Sequence, residues 1–301
     1  MPHTVTVGLD GSRESLAAVD WAAAEALRRG VPLLLLQVWD GDDDPRTRLV
    51  DPATARGWGE RTLGAARRRL HRRHPGLDVE TEWTCGDPVE ALCAAADGAE
   101  PLVLGSRGLG GLAGFLAGSV SLAVLARARR PVVLVRPHDH ARPAPGGDAP
   151  EPGAPGLGAA GDVVIGLDVF RPCDEPLAFG FAAADRYGCG VRVLHSWAVP
   201  TLYGPDVMAA LPLLLTEIDR DACRSLDEAL APWTDKYPGV PVVRTCRRGR
   251  PARDLAEAAR DARLVVVGRR NRRTRVGAHI GAVTHAVVHH SPAPVAVVPH
   301  D

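Results

Sequence analysis

The 301-residue sequence predicts an α/β fold: two tandem, doubly wound, five-stranded parallel-sheet domains. Short β-branched or leucine-rich runs alternate with longer helical patterns, the signature of βα units. The same order then recurs further along the chain. Between the two copies lies His138 to Gly161, dominated by Pro, Gly and Ala and without apolar periodicity, which reads as a linker. The expected domains are therefore 1–137 and 162–301, joined by 138–161. Each is long enough to bury its own core.

In the first copy the strands fall near 4–9, 32–39, 77–84, 101–104 and 131–135. Helices fit between them at 13–29, 54–73, 88–96 and 118–128, the first with Trp21 and Leu27 on an apolar face. The second copy places strands near 163–167, 190–197, 240–246, 263–267 and 294–298.

The repeat is explicit. Val7-Gly8-Leu9-Asp10 returns as Ile165-Gly166-Leu167-Asp168, and Gly30 and Trp39 as Gly188 and Trp197, all displaced by 158 positions. Further on the displacement is 163: Gly86, Pro88 and Gly105 match Gly249, Pro251 and Gly268, and Gly118–Val135 aligns without gaps to Gly281–Val298. Five residues were thus inserted between Trp197 and Gly249.

Lys+Arg and Asp+Glu both total 36, so no global field draws the protein to nucleic acid or to an anionic membrane. The start of the sequence has no secretory pattern, and no segment reaches about 18 uninterrupted apolar residues. A soluble cytoplasmic protein is expected. The six cysteines include no C-x2-C pair, and they read as ordinary core or surface thiols.

In open parallel sheets, ligands bind beyond the carboxyl ends of the strands, where the strand order reverses. In the first copy those ends carry Asp10, Val38-Trp39 and Gly105-Ser106-Arg107-Gly108, and Gly118-Ser119 opens the next helix. Gly105, Gly108 and Gly118 allow positive φ and close backbone approach, and the amides around Ser119 and Val120 present the positive end of a helix dipole. That describes a phosphate cradle, to which the Ser119 and Ser121 hydroxyls add donors and Arg107 adds charge. Asp10 is alternatively a helix N-cap for the segment beginning at Ser12-Arg13. Trp39 reads as core or pocket wall.

Val7-Gly8-Leu9-Asp10-Gly11-Ser12, Gly86-Asp87-Pro88, Gly105-x2-Gly108-x9-Gly118-Ser119 and Pro131-Val132-Val133-Leu134-Val135 together resemble the universal stress proteins of the adenosine-nucleotide-binding kind. The resemblance covers both halves and implies the adenine-nucleotide alpha-hydrolase-like form of the sheet. It implies that Asp10, with its neighbour Leu9, and the Val38 backbone contact adenosine, and that Leu104, Gly105, Gly108, Gly118, Ser119 and adjacent amides hold ribose and phosphates. ATP, with or without Mg2+, is the implied ligand. The terminal strands Val132–Val135 and Val295–Val298 imply an internal pseudo-dimer and a homodimer of chains.

The second copy departs from this pattern. Asp168, Gly268 and Gly281 are kept, but Val169-Phe170 replaces Gly11-Ser12, Asn271 replaces Gly108 and Ala282 replaces Ser119. Thr284 offers a replacement hydroxyl, and Arg269, Arg270, Arg272 and Arg273 crowd the same loop. A weaker second site is expected.

His285 and His289 have the i, i+4 spacing of zinc ligands but lack a third ligand, so no metal site is expected. Arg67-Arg68-Arg69 and Arg72-Arg73, and the acidic run Asp42-Asp43-Asp44, read as solvated surface rather than a nucleic-acid interface. Walker A is absent and no base is evident beside the phosphate loop. The expected function is a nucleotide-binding regulatory stress-response protein without a dedicated catalytic group. The alternatives are a slow ATPase or nucleotidyl-transferring enzyme, and a ligand-free interaction module.

Overall fold

The structure, a computed structural model, describes residues 4–40, 50–106, 118–137, 161–198, 205–271 and 280–301, with the backbone alone over 205–214. The first copy runs β1 (Thr4–Gly8), α1 (Arg13–Arg29), β2 (Leu33–Trp39), α2 (Pro52–Arg73), β3 (Val79–Cys85), α3 (Pro88–Asp97), β4 (Ala99–Gly105), α4 (Ser119–Arg127) and β5 (Val132–Val135). The second repeats it with β6 (Val163–Gly166), α5 (Asp174–Tyr187), β7 (Val191–Trp197), α6 (Pro205–Lys236), β8 (Val242–Arg248), α7 (Pro251–Ala258), β9 (Leu264–Arg270), α8 (Ala282–His290) and β10 (Val295–His300). Strand order is β3-β2-β1-β4-β5 in one and β10-β9-β6-β7-β8 in the other.

Pairing is parallel, with Val5 to Gly8 of β1 facing Leu33 to Leu36 of β2. A parallel sheet wrapped by helices buries both faces, so its central strands are apolar throughout. Val5, Val7, Leu33, Leu35, Leu102 and Val103 are accordingly buried. The edge strands differ: β3 reads Val-Glu-Thr-Glu-Trp-Thr-Cys and β8 Val-Val-Arg-Thr-Cys-Arg-Arg. Charge on an edge discourages pairing with another chain.

The Ser12 side chain caps α1 by accepting from the Ser15 amide, and Gly30 closes the helix in the left-handed conformation, as Gly188 closes α5. Trp21 is buried as expected, whereas Leu27 is 43% exposed. Six residues beyond Trp21, Leu27 lies about 240° round the helix and so faces away from the sheet. Glu25 takes the inward side, fully buried, its carboxylate accepting from Arg29 Nε at 2.6 Å.

The five-residue insertion now has a place. Arg73 and Lys236, the last residues of α2 and α6, are already 163 apart, so it precedes the C-terminus of α6. There α6 has 32 residues against 22 in α2, the gain lying at its N-terminal end.

By packing, the chain forms two compact units, 1–121 with 134–161, and 122–133 with 162–301.

Candidate functional site

In the first copy the strand order reverses between β1 and β4, and a cleft of about 260 Å3 opens there. Leu9 and Asp10 enter it after β1, Val38 from β2, Leu104 and Gly105 from the end of β4, and Gly118, Ser119, Val120 and Ser121 from the start of α4. Sequence reasoning singled out all nine; Arg107 and Gly108 lie outside the described residues. The cleft also takes in Leu36, Pro88 and Leu92, which line it beside Val38 with apolar surface, and Glu14 from the first turn of α1. Pro88 was visible as part of the Gly-Asp-Pro motif. Leu36 and Leu92 carry no local signal that separates them from core leucines.

The loop after β1 is built by short hydrogen bonds. Asp10 Oδ1 accepts from the Ser12 amide at 2.9 Å and from Ser12 Oγ at 2.5 Å, while Ser12 Oγ itself accepts from the Ser15 amide at 3.1 Å. The N-cap is therefore Ser12, and Asp10 orients it while its exposed carboxylate borders the cleft. Gly11 makes the reversal with φ +81°, a conformation unfavourable to a side-chain-bearing residue.

Gly105 owes its identity to close approach rather than to a left-handed φ. A Cβ there would lie 2.6 Å from the Glu14 carbonyl carbon. A Cβ on Gly118 would meet no described residue within 4 Å, and Gly118 lines the cleft. The Ser121 hydroxyl, expected as a ligand donor, donates instead to Gly105 O at 3.2 Å and ties α4 to β4. Trp39 is half-buried outside the cleft, its carbonyl accepting from the Gly86 amide.

The second copy has a cleft of about 250 Å3 at the corresponding place. Asp168, Gly268, Gly281 and Thr284 line it; Asn271 and Ala282 do not. The Asn271 amide donates to His300 O at 2.7 Å, continuing the β9–β10 ladder, and its Oδ1 accepts from Arg269 at 3.0 Å. Thr284 does not stand in for Ser119: it is the counterpart of Ser121 and makes the same tie, donating to Gly268 O at 2.8 Å. Arg269 is engaged by the carbonyls of Ala126, at 2.9 Å, and Ala128, within the same compact unit. Arg272 and Arg273 lie outside the described residues.

Arg171, Arg270, Cys173 and His300, none assigned to a site by sequence reasoning except Arg270 as part of a basic loop, also line the second cleft, beside Gly166, Val267, Arg269 and Val283. Burial, then the Glu175, Asp168 and Asp174 carboxylates, push the Cys173 thiol up to about 11, with Arg270 opposing them. The His285 and His289 rings stand 4.2 Å apart. Among the described residues no group of three His, Cys, Asp or Glu side chains is placed to hold a metal ion. No described helix is long and apolar enough to cross a membrane.

A doubly wound repeat with a switch-point cleft in each copy defines the class. The sequence model of the universal stress protein family matches residues 1–136 and 161–299, and the chain belongs to that family as a tandem of two such domains. It is 34% identical over 302 residues to universal stress protein Rv2005c of Mycobacterium tuberculosis, covering 98% of this chain and 96% of that one. A universal stress protein of Mycolicibacterium smegmatis is 33% identical over 306 residues, with 98% and 97% covered. The crystal structure of a universal stress protein from Archaeoglobus fulgidus shares the fold, with a TM-score of 0.70 at 19% identity over 99% of this chain and 98% of that one.

Proposed function

We propose that the first domain binds an adenine nucleotide, ATP in the first instance, and that the chain acts as a regulatory stress-response protein through that occupancy. The observation that carries the reading is the make-up of the first cleft. Leu36, Val38, Pro88 and Leu92 offer an apolar wall on the β2 and α3 side, Asp10 a carboxylate acceptor, and Gly118, Ser119 and Val120 the start of a helix.

Each part suits one part of the ligand. A purine needs apolar walls, ribose hydroxyls donate to a carboxylate, and phosphates favour the unpaired N–H groups of a helix start. Gly118 leaves room for a phosphate to approach the backbone closely. A part for Mg2+, homodimerisation and a cytoplasmic location belong to the same reading.

The test is titration of the full chain with ATP, for wild type and Gly118→Asp. The new side chain meets no described residue at its Cβ, so the fold is expected to be retained while its charge repels phosphate. Saturable binding, weakened at least about a hundredfold in the variant, is expected, as for the loss of roughly 2.7 kcal/mol. An absence of binding by wild type, or equal binding by both, sinks the proposal.

A further inference from the structure

The second cleft is not a weakened copy of the first. Where Gly11-Ser12 stands in the first domain, the second has Val169-Phe170, and a β-branched residue is a poor occupant of the left-handed conformation that Gly11 adopts. The chain turns differently, with the Arg171 amide donating to Asp168 O at 3.0 Å. Helix α5 begins at Asp174, three residues later than α1 at the offset of 158. Phe170 comes to lie edge-on to His195, at 5.1 Å, and to Trp197, at 6.1 Å, on β7. Leu194, Ser196, Pro251 and Leu255, the counterparts of the first cleft's apolar wall, are absent from the second lining.

The second lining carries positive charge beside the place where the wall is missing; Arg171 and Arg270 correspond to Arg13 and Arg107 of the first copy, of which Arg107 lies outside the described residues. Among the described residues the first lining holds two ionisable side chains, Asp10 and Glu14, both acidic. The second sets Asp168 against Arg171, Arg269 and Arg270. Arg269 is committed to backbone carbonyls, whereas the guanidinium groups of Arg171 and Arg270 make no hydrogen bond or ion pair among the described residues.

Two independent features face the same space. Helix α8 has Gly281 as N-cap and no side-chain cap, so among the described residues the first-turn N–H groups have no intrahelical or cap partner. Gly281 has φ −59° and ψ 150°, which any residue adopts, yet a Cβ there would find no atom of the described residues within 4 Å. His300 is 9% exposed and lines the cleft. Its Nδ1 meets Asp301 O at 3.1 Å, and its Nε2, which lies 2.9 Å from where a Gly268 Cβ would sit, has no hydrogen-bond partner among the described residues.

We propose that the second cleft binds a phosphate dianion that carries no nucleobase, either inorganic phosphate or a small phosphate monoester. Arg171 and Arg270 supply charge, the α8 N–H groups supply donors, His300, whose Nδ1 donates to Asp301 O, adds a further donor at Nε2 in its doubly protonated form, and the missing apolar wall removes any preference for adenine. The site does not depend on nucleotide in the first domain.

The experiment uses the full chain carrying Gly118→Asp, so that the first cleft does not contribute. Labelled inorganic phosphate is titrated by equilibrium dialysis at fixed ionic strength, with ribose 5-phosphate, AMP and adenosine as competitors. Saturable binding is expected, weakened at least tenfold by Arg171→Gln and by Arg270→Gln, two exposed positions whose replacement leaves the core intact. Adenosine should not compete, and AMP should compete no better than ribose 5-phosphate. Displacement by ribose 5-phosphate at lower concentration than unlabelled phosphate assigns the site to monoesters, and the reverse to inorganic phosphate; both support the proposal. No saturable binding, binding indifferent to both arginine variants, or AMP competing more than tenfold better than ribose 5-phosphate overturns it. Failure of ATP to bind the wild-type first domain leaves this result untouched.

Discussion

The two domains share a strand order and even a hydroxyl tie, Ser121 to Gly105 O in one and Thr284 to Gly268 O in the other. They differ where β1 and β6 hand over to their helices. In the first, Asp10, Gly11 and Ser12 form a tight capped turn beside an apolar-walled cleft. In the second, Phe170 lies against His195 and Trp197, and the cleft is rimmed by arginine. A parallel sheet tolerates such divergence because its packing resides in the strands and helix faces, while the loops at the strand ends carry binding. Two substitutions there accompany a later helix start and a different cleft wall.

The largest contrast in stability should come from the paired glycines at the ends of β4 and β9. A Cβ on Gly105 meets the backbone of Glu14 and Ser15 at 2.6–2.7 Å, whereas one on Gly268 meets the His300 ring edge at 2.9 Å and Pro176 Cγ at 3.4 Å. Backbone cannot yield without moving α1, but a ring edge can rotate. Gly105→Ala should therefore cost about 1–3 kcal/mol, as overpacking does, and Gly268→Ala less than about 1 kcal/mol. Urea unfolding of the two variants measures both, and equal losses would break the contrast.

A smaller effect concerns the caps. Ser12→Ala removes a side-chain cap and should cost about 1 kcal/mol. The cap position of α5 is Cys173, which makes no such bond. Cys173→Ser should raise stability by about 0.5 kcal/mol in the same assay. A gain from Ser12→Ala, or a loss from Cys173→Ser at neutral pH, would show that the two helix starts are not related in this way.

Much of this was legible in the sequence. Apolar period and the spacing of Gly, Pro and Asp placed the strands of both copies and the helices of the first within a few residues, because a buried parallel strand must be apolar and glycine marks sites of special backbone geometry. Nine residues of the first cleft were likewise named from strand ends, from the start of the following helix and from the family resemblance. Leu27 was misplaced because an apolar residue on the outward face of a helix looks, in sequence, like those that face the core. Asn271 was assigned to the second site by alignment, and alignment cannot show that its amide and Oδ1 serve His300 O and Arg269, or that Thr284, which does line the cleft, gives its hydroxyl to Gly268 O. The role of Phe170 was hidden for the same reason: its partners His195 and Trp197 come from another strand.

The finest contrast is one of titration. Ser15 in the first domain corresponds to Cys173 in the second, so only the second carries an ionisable group at this point of its cleft. The folded thiol is pushed up to about 11, chiefly by burial, while an unfolded cysteine ionises near 8.5. A raised folded value means that the unfolded chain gives up its proton first. The contribution is complete below about pH 8 and is lost as pH climbs through the folded value. Cys173→Ser should therefore flatten the fall in melting temperature between pH 8 and 11, and the variant's advantage should widen with pH. Because the thiol is about half exposed, the widening should be modest. Parallel curves for wild type and variant would show that Cys173 ionises as easily in the folded chain as in the unfolded one.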